Sequence, residues 1–269
     1  MNRPRRMSSP FAHAFLCPLL TLLGVFTPGA AAAHDFFLLP QSYLSEQPTI
    51  EVDATISAAF PALELTVAAD RIASLQALSP STASRAEITG PAEKSLRLRL
   101  LDAGKGISVV VVRTVPREVD YAEDRIGGIM SEYDVAQDAI DAVGALQHPR
   151  TLRVLSTRTA KAHVCILDCS DRTATIRTIG SGLEFVAASA GDDARFRLIF
   201  NGSPMANHPI VVASADGARR RGRTDGMGRV ALTEADRGVL MLFAAHMRPP
   251  PGPSDRFELQ LTSLTLARR

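Results

Sequence analysis

Alternation with a period of two is the constraint that most narrows the fold of this chain. Leu96, Leu98 and Leu100 fall on one side of an extended segment and Arg97 and Arg99 on the other. That is the pattern of a strand with one face buried. Short segments at 49–54, 63–68 and 107–114 also alternate or are β-branched, with clusters of Pro, Gly and Ser between them. The run Val109-Val110-Val111-Val112 predicts a strand covered on both faces. Strand patterning resumes at 152–155 and 162–167. It continues through 195–200, 210–213, 229–232, 238–246 and 257–266, with turn signals between the segments.

One stretch breaks this rhythm. Ile126, Ile129, Met130, Tyr133, Ala136, Ile140 and Val143 recur at three- and four-residue steps, with acidic side chains between them. The spacing predicts an amphipathic helix or helix pair, with Gly127-Gly128 as its weak point. The expected fold is therefore mainly β. It comprises two β-sandwich-like domains, 34–158 and 159–269, the second immunoglobulin-like, and a helical insertion at about 120–143 closes the first.

The first 33 residues read differently from the rest. Arg3, Arg5 and Arg6 precede an apolar stretch from Ala14 to Phe26, and small residues lead to Ala31-Ala32-Ala33-His34. This is the plan of a cleaved secretory leader, and its apolar run is too short to span a bilayer. Cleavage after Ala31, Ala32 or Ala33 leaves His34 among the first three mature residues, and the expected location is the periplasm. Without the three leader arginines the chain carries 27 basic against 28 acidic side chains. That balance gives no support for a nucleic-acid partner. No second long apolar run follows, so no transmembrane segment is expected in the mature chain.

Cys17 lies in the leader, which leaves Cys165 and Cys169 on either side of Ile166-Leu167-Asp168. An oxidising compartment favours a disulfide, which needs a turn between the two residues. Two buried thiols or a metal site are the alternatives, although thiolate sites normally recruit more than two sulfurs. Catalytic signatures are sparse, with no nucleophile elbow, phosphate-binding loop or dinucleotide fingerprint. The expectation is a protein that is not an enzyme. Arg219-Arg220-Arg221 with Arg223 reads as a solvated basic hairpin tip. His148, His163 and His208 have no ligand spacing, and His208, between Asn207 and Pro209, reads as a loop decoration.

The residues also carry a resemblance. His34-Asp35-Phe36-Phe37-Leu38-Leu39-Pro40 after a leader resembles the opening of the family named domain of unknown function 4198. Arg158-Thr159-Ala160-Lys161-Ala162 and Gly182-Leu183-Glu184-Phe185-Val186 are similar to its mid-chain segments. Thr224-Asp225-Gly226-Met227-Gly228-Arg229-Val230 resembles one of its turns, and Ala244-Ala245-His246-Met247 one of its closing strands. Phe37 stands where that family commonly has Trp. The resemblance implies a periplasmic component of cobalt or nickel uptake, working with a metal-uptake membrane transporter.

The residues that fit such a role are His34 and His246. An amino-terminal amine with a nearby imidazole suits Ni(II), Co(II) or Cu(II), which favour nitrogen ligands. His246, at the end of a core strand, is the supporting ligand if it reaches His34. A two-histidine copper brace would need that same approach, and cleavage after Ala33. The other function class is a non-catalytic β-sandwich that binds a protein or glycan. Mass spectrometry of the secreted protein is expected to give an amino terminus at Ala32, Ala33 or His34; an intact Met1 would remove the amino-terminal chelate.

Overall fold

The alternating segments become strands because each can bury one row of side chains between layers. The structure, a computed structural model, describes residues 34–192, 194–250, 252 and 256–268. The leader lies outside the described residues. The first half supplies β1 (Asp35–Pro40), β2 (Leu44–Ser45), β3 (Ile50–Ser57), β4 (Leu65–Thr66), β5 (Ile72–Leu78), β6 (Arg85–Pro91), β7 (Leu96–Leu101), β8 (Gly106–Thr114) and β9 (Arg117–Ala122). Helices α1 (Glu123–Glu132) and α2 (Gln137–Gly144) follow, and then the long β10 (Thr151–Ile166). The remainder supplies β11 (Leu183–Ala187), β12 (Arg195–Phe200), β13 (Ser203–Pro204), β14 (Pro209–Ser214), β15 (Arg219–Arg223), β16 (Arg229–Ala231), β17 (Gly238–Arg248) and β18 (Arg256–Arg268).

A nine-stranded sheet runs β15-β14-β17-β18-β10-β8-β5, with β2 and β9 also paired to β10. On one of its faces lies a five-stranded sheet, β1-β3-β7-β6 with β4 on β3. Phe36, Leu38, Val52 and Leu98 of that sheet share a core with Val110 and Val112 of β8 and with Ala160, Ala162 and Val164 of β10. The other face meets a four-stranded sheet, β11-β12-β13 with β16 on β12. Phe185, Phe196 and Leu198 there pack on Leu240, Leu242, Leu264 and Leu266. The chain is thus mainly β, with sandwich packing on both sides of one large sheet.

The period of two sorts side chains between these layers. Along β17, Leu240, Leu242 and Ala244 face the four-stranded sheet, whereas Met241, Phe243, Ala245 and Met247 face the helices. Ile126 and Ile129 of α1 and Ala139 and Val143 of α2 are buried in that second cluster, beside Phe257 and Leu259. The helical insertion is therefore docked. Two details of the expected helix differ. Gly127 and Gly128 lie inside α1 on its exposed side, and the break falls at Tyr133–Ala136, where Asp134 has φ 45°. Ile140 points out of the cluster, with 39% of its surface exposed, because α2 starts on a new axis after that break.

The boundary expected at Arg158/Thr159 falls in the middle of β10. That strand pairs with β9 through Thr151–Ser156, with β8 through His163–Ile166, and in parallel with β18 through Arg153–Ala162. All described residues belong to one compact unit. At the end of β10 the chain turns through Leu167, whose φ is 60°, and a disulfide joins Cys165 to Cys169 with Cα atoms 5.3 Å apart. Those sulfurs are therefore not thiolate ligands. Phe37, at the position where the resembling family carries Trp, is fully buried and meets Phe60 edge-on with ring centroids 5.2 Å apart.

The alternation on β10 also turns a lysine inward. Lys161 is 2% exposed and Glu184 of β11 is 0% exposed. The Lys161 ammonium donates to Glu184 Oε2 and to the carbonyl of Phe185 at 3.1 Å. The Glu184 carboxylate also accepts the backbone N–H of Ile179 at 3.0 Å and of Gly180 at 3.3 Å. Burial pulls the Lys161 pKa down, and the charge of Glu184 opposes that shift. Removing one member of such a pair leaves a desolvated charge and typically destabilises by about 3–5 kcal/mol, whereas replacing both by apolar groups is often neutral. Denaturant titration should show a loss of that size for Lys161→Met and for Glu184→Leu, with most of it recovered in the double variant. Additive losses in the double variant would contradict the pairing.

Candidate functional site

The amino-terminal corner is built by β1, which lies across the nine-stranded sheet. Ser263 and Thr265 of β18 donate their hydroxyls to the carbonyls of Phe36 at 2.7 Å and Leu38 at 2.6 Å. These bonds hold the start of β1 in place, with His34 exposed at its end. Arg158 of β10 donates an N–H to the carbonyl of His34 at 3.1 Å. Next to it, Asp35 is only 2% exposed. Its Oδ2 accepts from Arg219 at 3.0 Å, while its Oδ1 is buried without a hydrogen-bond partner. Burial raises the Asp35 pKa against the charges of Arg219, Arg158 and His34. Glu132, at the end of α1, is likewise raised, first by burial and then by the charge of Asp35. Two carboxyl groups that resist ionisation thus stand beside His34.

His246 stands elsewhere. Its ring meets Phe200 of β12 at 5.1 Å and His208 at 5.4 Å between centroids. It shares the face of β17 with Leu240 and Leu242, toward the four-stranded sheet. β1 lies on the opposite face, so the sheet separates His246 from His34 and the two do not share an ion. A copper brace between them does not form. His246 Nδ1 is buried without a partner, and burial, then the charges of His208 and Arg248, bring its pKa down to about 4. His208 is 7% exposed and its Nε2 meets the Ala245 carbonyl at 2.9 Å, so it is a core histidine and not a loop decoration. Among the described residues no three His, Cys, Asp or Glu side chains converge as a metal site.

Other sequence features resolve into structure. The arginines 219–223 form β15, the edge strand of the nine-stranded sheet. Arg219 pairs with Asp35, and Arg220 with Asp236 at 2.7 Å. Charge on an edge strand guards it against pairing with another chain. In the Thr224–Gly228 turn, Asp225 Oδ1 accepts the N–H groups of Met227 at 2.8 Å and Arg229 at 2.9 Å. Gly228 has φ 71°, and a Cβ there would stand 2.9 Å from the Leu198 carbonyl oxygen, so no other residue fits without strain. That motif is a turn lock. Sequence reasoning missed Asp35 and Glu132, because nothing in their spacing shows that α1 returns to the start of β1. Asp35 directly follows the histidine already singled out, and that adjacency was the available signal.

Fold and corner together define a β-sandwich-like protein with a polar, acid-bearing amino-terminal edge. The sequence pattern of the domain of unknown function (DUF4198) family matches residues 31–248, so the chain belongs to that family. Comparison with the curated proteins gave no match. No helix among the described residues is long and apolar enough to cross a membrane.

The buried histidines set a pH dependence. His163 on β10 is pushed down to about 3 by burial, then by the charges of Lys161 and Arg172. A histidine whose folded pKa lies below its unfolded value of about 6.5 leaves the unfolded state holding more protons between the two values. Its contribution is therefore fully present above pH ~6.5 and lost as the pH falls toward the folded pKa. For His163 that loss amounts to as much as about 1.4 kcal/mol per pH unit. Denaturant titrations between pH 4 and 7 should show a shallower acid limb for His163→Phe than for the unsubstituted protein. Equal slopes would mean that His163 already titrates normally in the folded state.

Proposed function

We propose that this chain is an exported binding or accessory protein for a divalent transition metal, nickel, cobalt or copper, serving a membrane transporter. The ion is placed at the amino-terminal corner, on His34. One observation carries the reading: Asp35 Oδ1, a buried carboxylate oxygen without a hydrogen-bond partner, adjoins an exposed histidine. A buried acceptor left unmatched calls for a donor or a cation. Cleavage after Ala33 would add the α-amine of His34 to its imidazole, and Asp35 or Glu132 would supply oxygen and negative charge. A nitrogen-rich set with one or two carboxylates suits the later first-row divalent metals. Because no three side chains converge as a metal site among the described residues, the chelate depends on that amine. Export is supported by the leader pattern and transporter service by the family resemblance.

The acids raised by burial would respond to such an ion. A cation at the corner would favour the ionised forms of Asp35 and Glu132, so binding should release protons and weaken on acidification. Calorimetry with Ni(II) and Cu(II) on mature protein should give one site per chain. His34→Ala should abolish it, and Asp35→Asn should weaken it about tenfold. His246→Ala should leave it unchanged, since that ring lies across the sheet. Undiminished binding by His34→Ala would overturn the reading.

A further inference from the structure

We propose that a second site, a cleft of about 220 Å³ beside β9 and the end of β8, binds a small organic oxyanion: a carboxylate or phosphate carried on an apolar or aromatic body. Arg71, Arg117 and Arg158 line it, and no Asp or Glu does. Arg71 donates to the Val115 carbonyl at 3.0 Å, and Arg158 to the His34 carbonyl at 3.1 Å. These bonds position the two guanidinium groups without neutralising them. Among the described residues none of the three arginines forms an ion pair with a carboxylate, and the Arg117 side chain makes no hydrogen bond, its charge acting on Tyr121.

A basic surface elsewhere on the molecule makes the contrast. The open groove at β15 and β16 is lined by Arg195, Arg220, Arg223 and Arg229. Each of those meets a carboxylate: Asp192, Asp236 at 2.7 Å, Asp134 at 3.8 Å and Asp225 at 2.8 Å. The arginines of that groove are supplied with their acids. The cleft arginines are not, although Asp35 and Glu132 stand near Arg158 at the amino-terminal corner.

The rest of the cleft wall gives the ligand its character. Val67, Leu259 and Leu261 provide apolar surface, and Tyr121 and Tyr133 provide rings with hydroxyl groups. Burial raises the Tyr121 pKa, and the charges of Arg158 and Arg117 oppose that rise, which places both cations close to the ring. A cavity of about 150 Å³ accepts a benzene ring, so a one-ring or short-chain anion fits here. A guanidinium group meets carboxylate or phosphate through paired N–H donors, and an apolar wall removes the rest of the ligand from water. Nothing in this assignment depends on a metal at His34.

The test is calorimetry on the mature protein in metal-free Tris buffer, with phenyl phosphate, benzoate and inorganic phosphate as separate probes. At least one aromatic anion should bind one site per chain, tighter than inorganic phosphate by tenfold or more. The stronger of the two probes identifies phosphate or carboxylate as the head group. Arg117→Gln, at an exposed position with no hydrogen-bond or ion-pair partner, should lower that affinity at least tenfold while leaving thermal unfolding unchanged. Arg158→Lys, which keeps the charge and loses the paired donors, should also weaken it, and His34→Ala should not. The assignment is overturned if neither aromatic probe saturates, if inorganic phosphate binds equally well, or if Arg117→Gln binds undiminished.

Discussion

A lysine and a glutamate enclosed between two β-sheets impose a demand that the surrounding structure must meet. The Lys161 ammonium and Glu184 carboxylate are both almost wholly removed from water. Each would be too expensive to bury alone, and their attraction offsets that penalty only with good geometry and further hydrogen bonds. The fold supplies these through the Phe185 carbonyl and the N–H groups of Ile179 and Gly180. The path between β10 and β11 therefore has to return to one place. Leucines packed on phenylalanines tolerate sliding, whereas directional bonds do not. The four-stranded sheet is held to the large sheet at one register by this pair.

β10 carries that pair and also joins the halves of the molecule. Its even positions, from Leu152 to Ile166, face the helices and the five-stranded sheet, while Lys161 faces the other way. One strand thus belongs to three packing clusters' worth of neighbours. A boundary within it would divide a hydrogen-bonded ladder, and for that reason the two sandwiches behave as layers on a shared sheet. The same two-residue period decides the fate of the histidines. On β17, a shift of one position would have turned His246 toward β1; at its actual register it packs on Phe200 and His208.

Arg158 links the two polar regions proposed as sites. It emerges from β10, bonds the His34 carbonyl and lines the neighbouring cleft. On the corner side the charges are mixed, with Arg219 answering Asp35 and Glu132 close by. On the cleft side they are uniformly positive. Cation chemistry and anion chemistry are therefore adjacent but electrostatically distinct, divided by a single guanidinium group.

The sequence by itself determined the strand-rich class, the docked helical stretch, the doubly covered valine strand and the turn at Asp225–Gly228. Each of these is local: a period of two or 3.6, or a glycine where φ must be positive. The family resemblance likewise picked out the segments containing Lys161 and Glu184, without showing that they touch. Only the tertiary structure decided which sheets face each other, that α1 brings Glu132 to Asp35, and that His34 and His246 lie on opposite faces. Pairings across a hundred residues depend on register and layer order, and neither is written in the spacing of nearby residues. Local chemistry named the candidate groups, and long-range packing chose their neighbours.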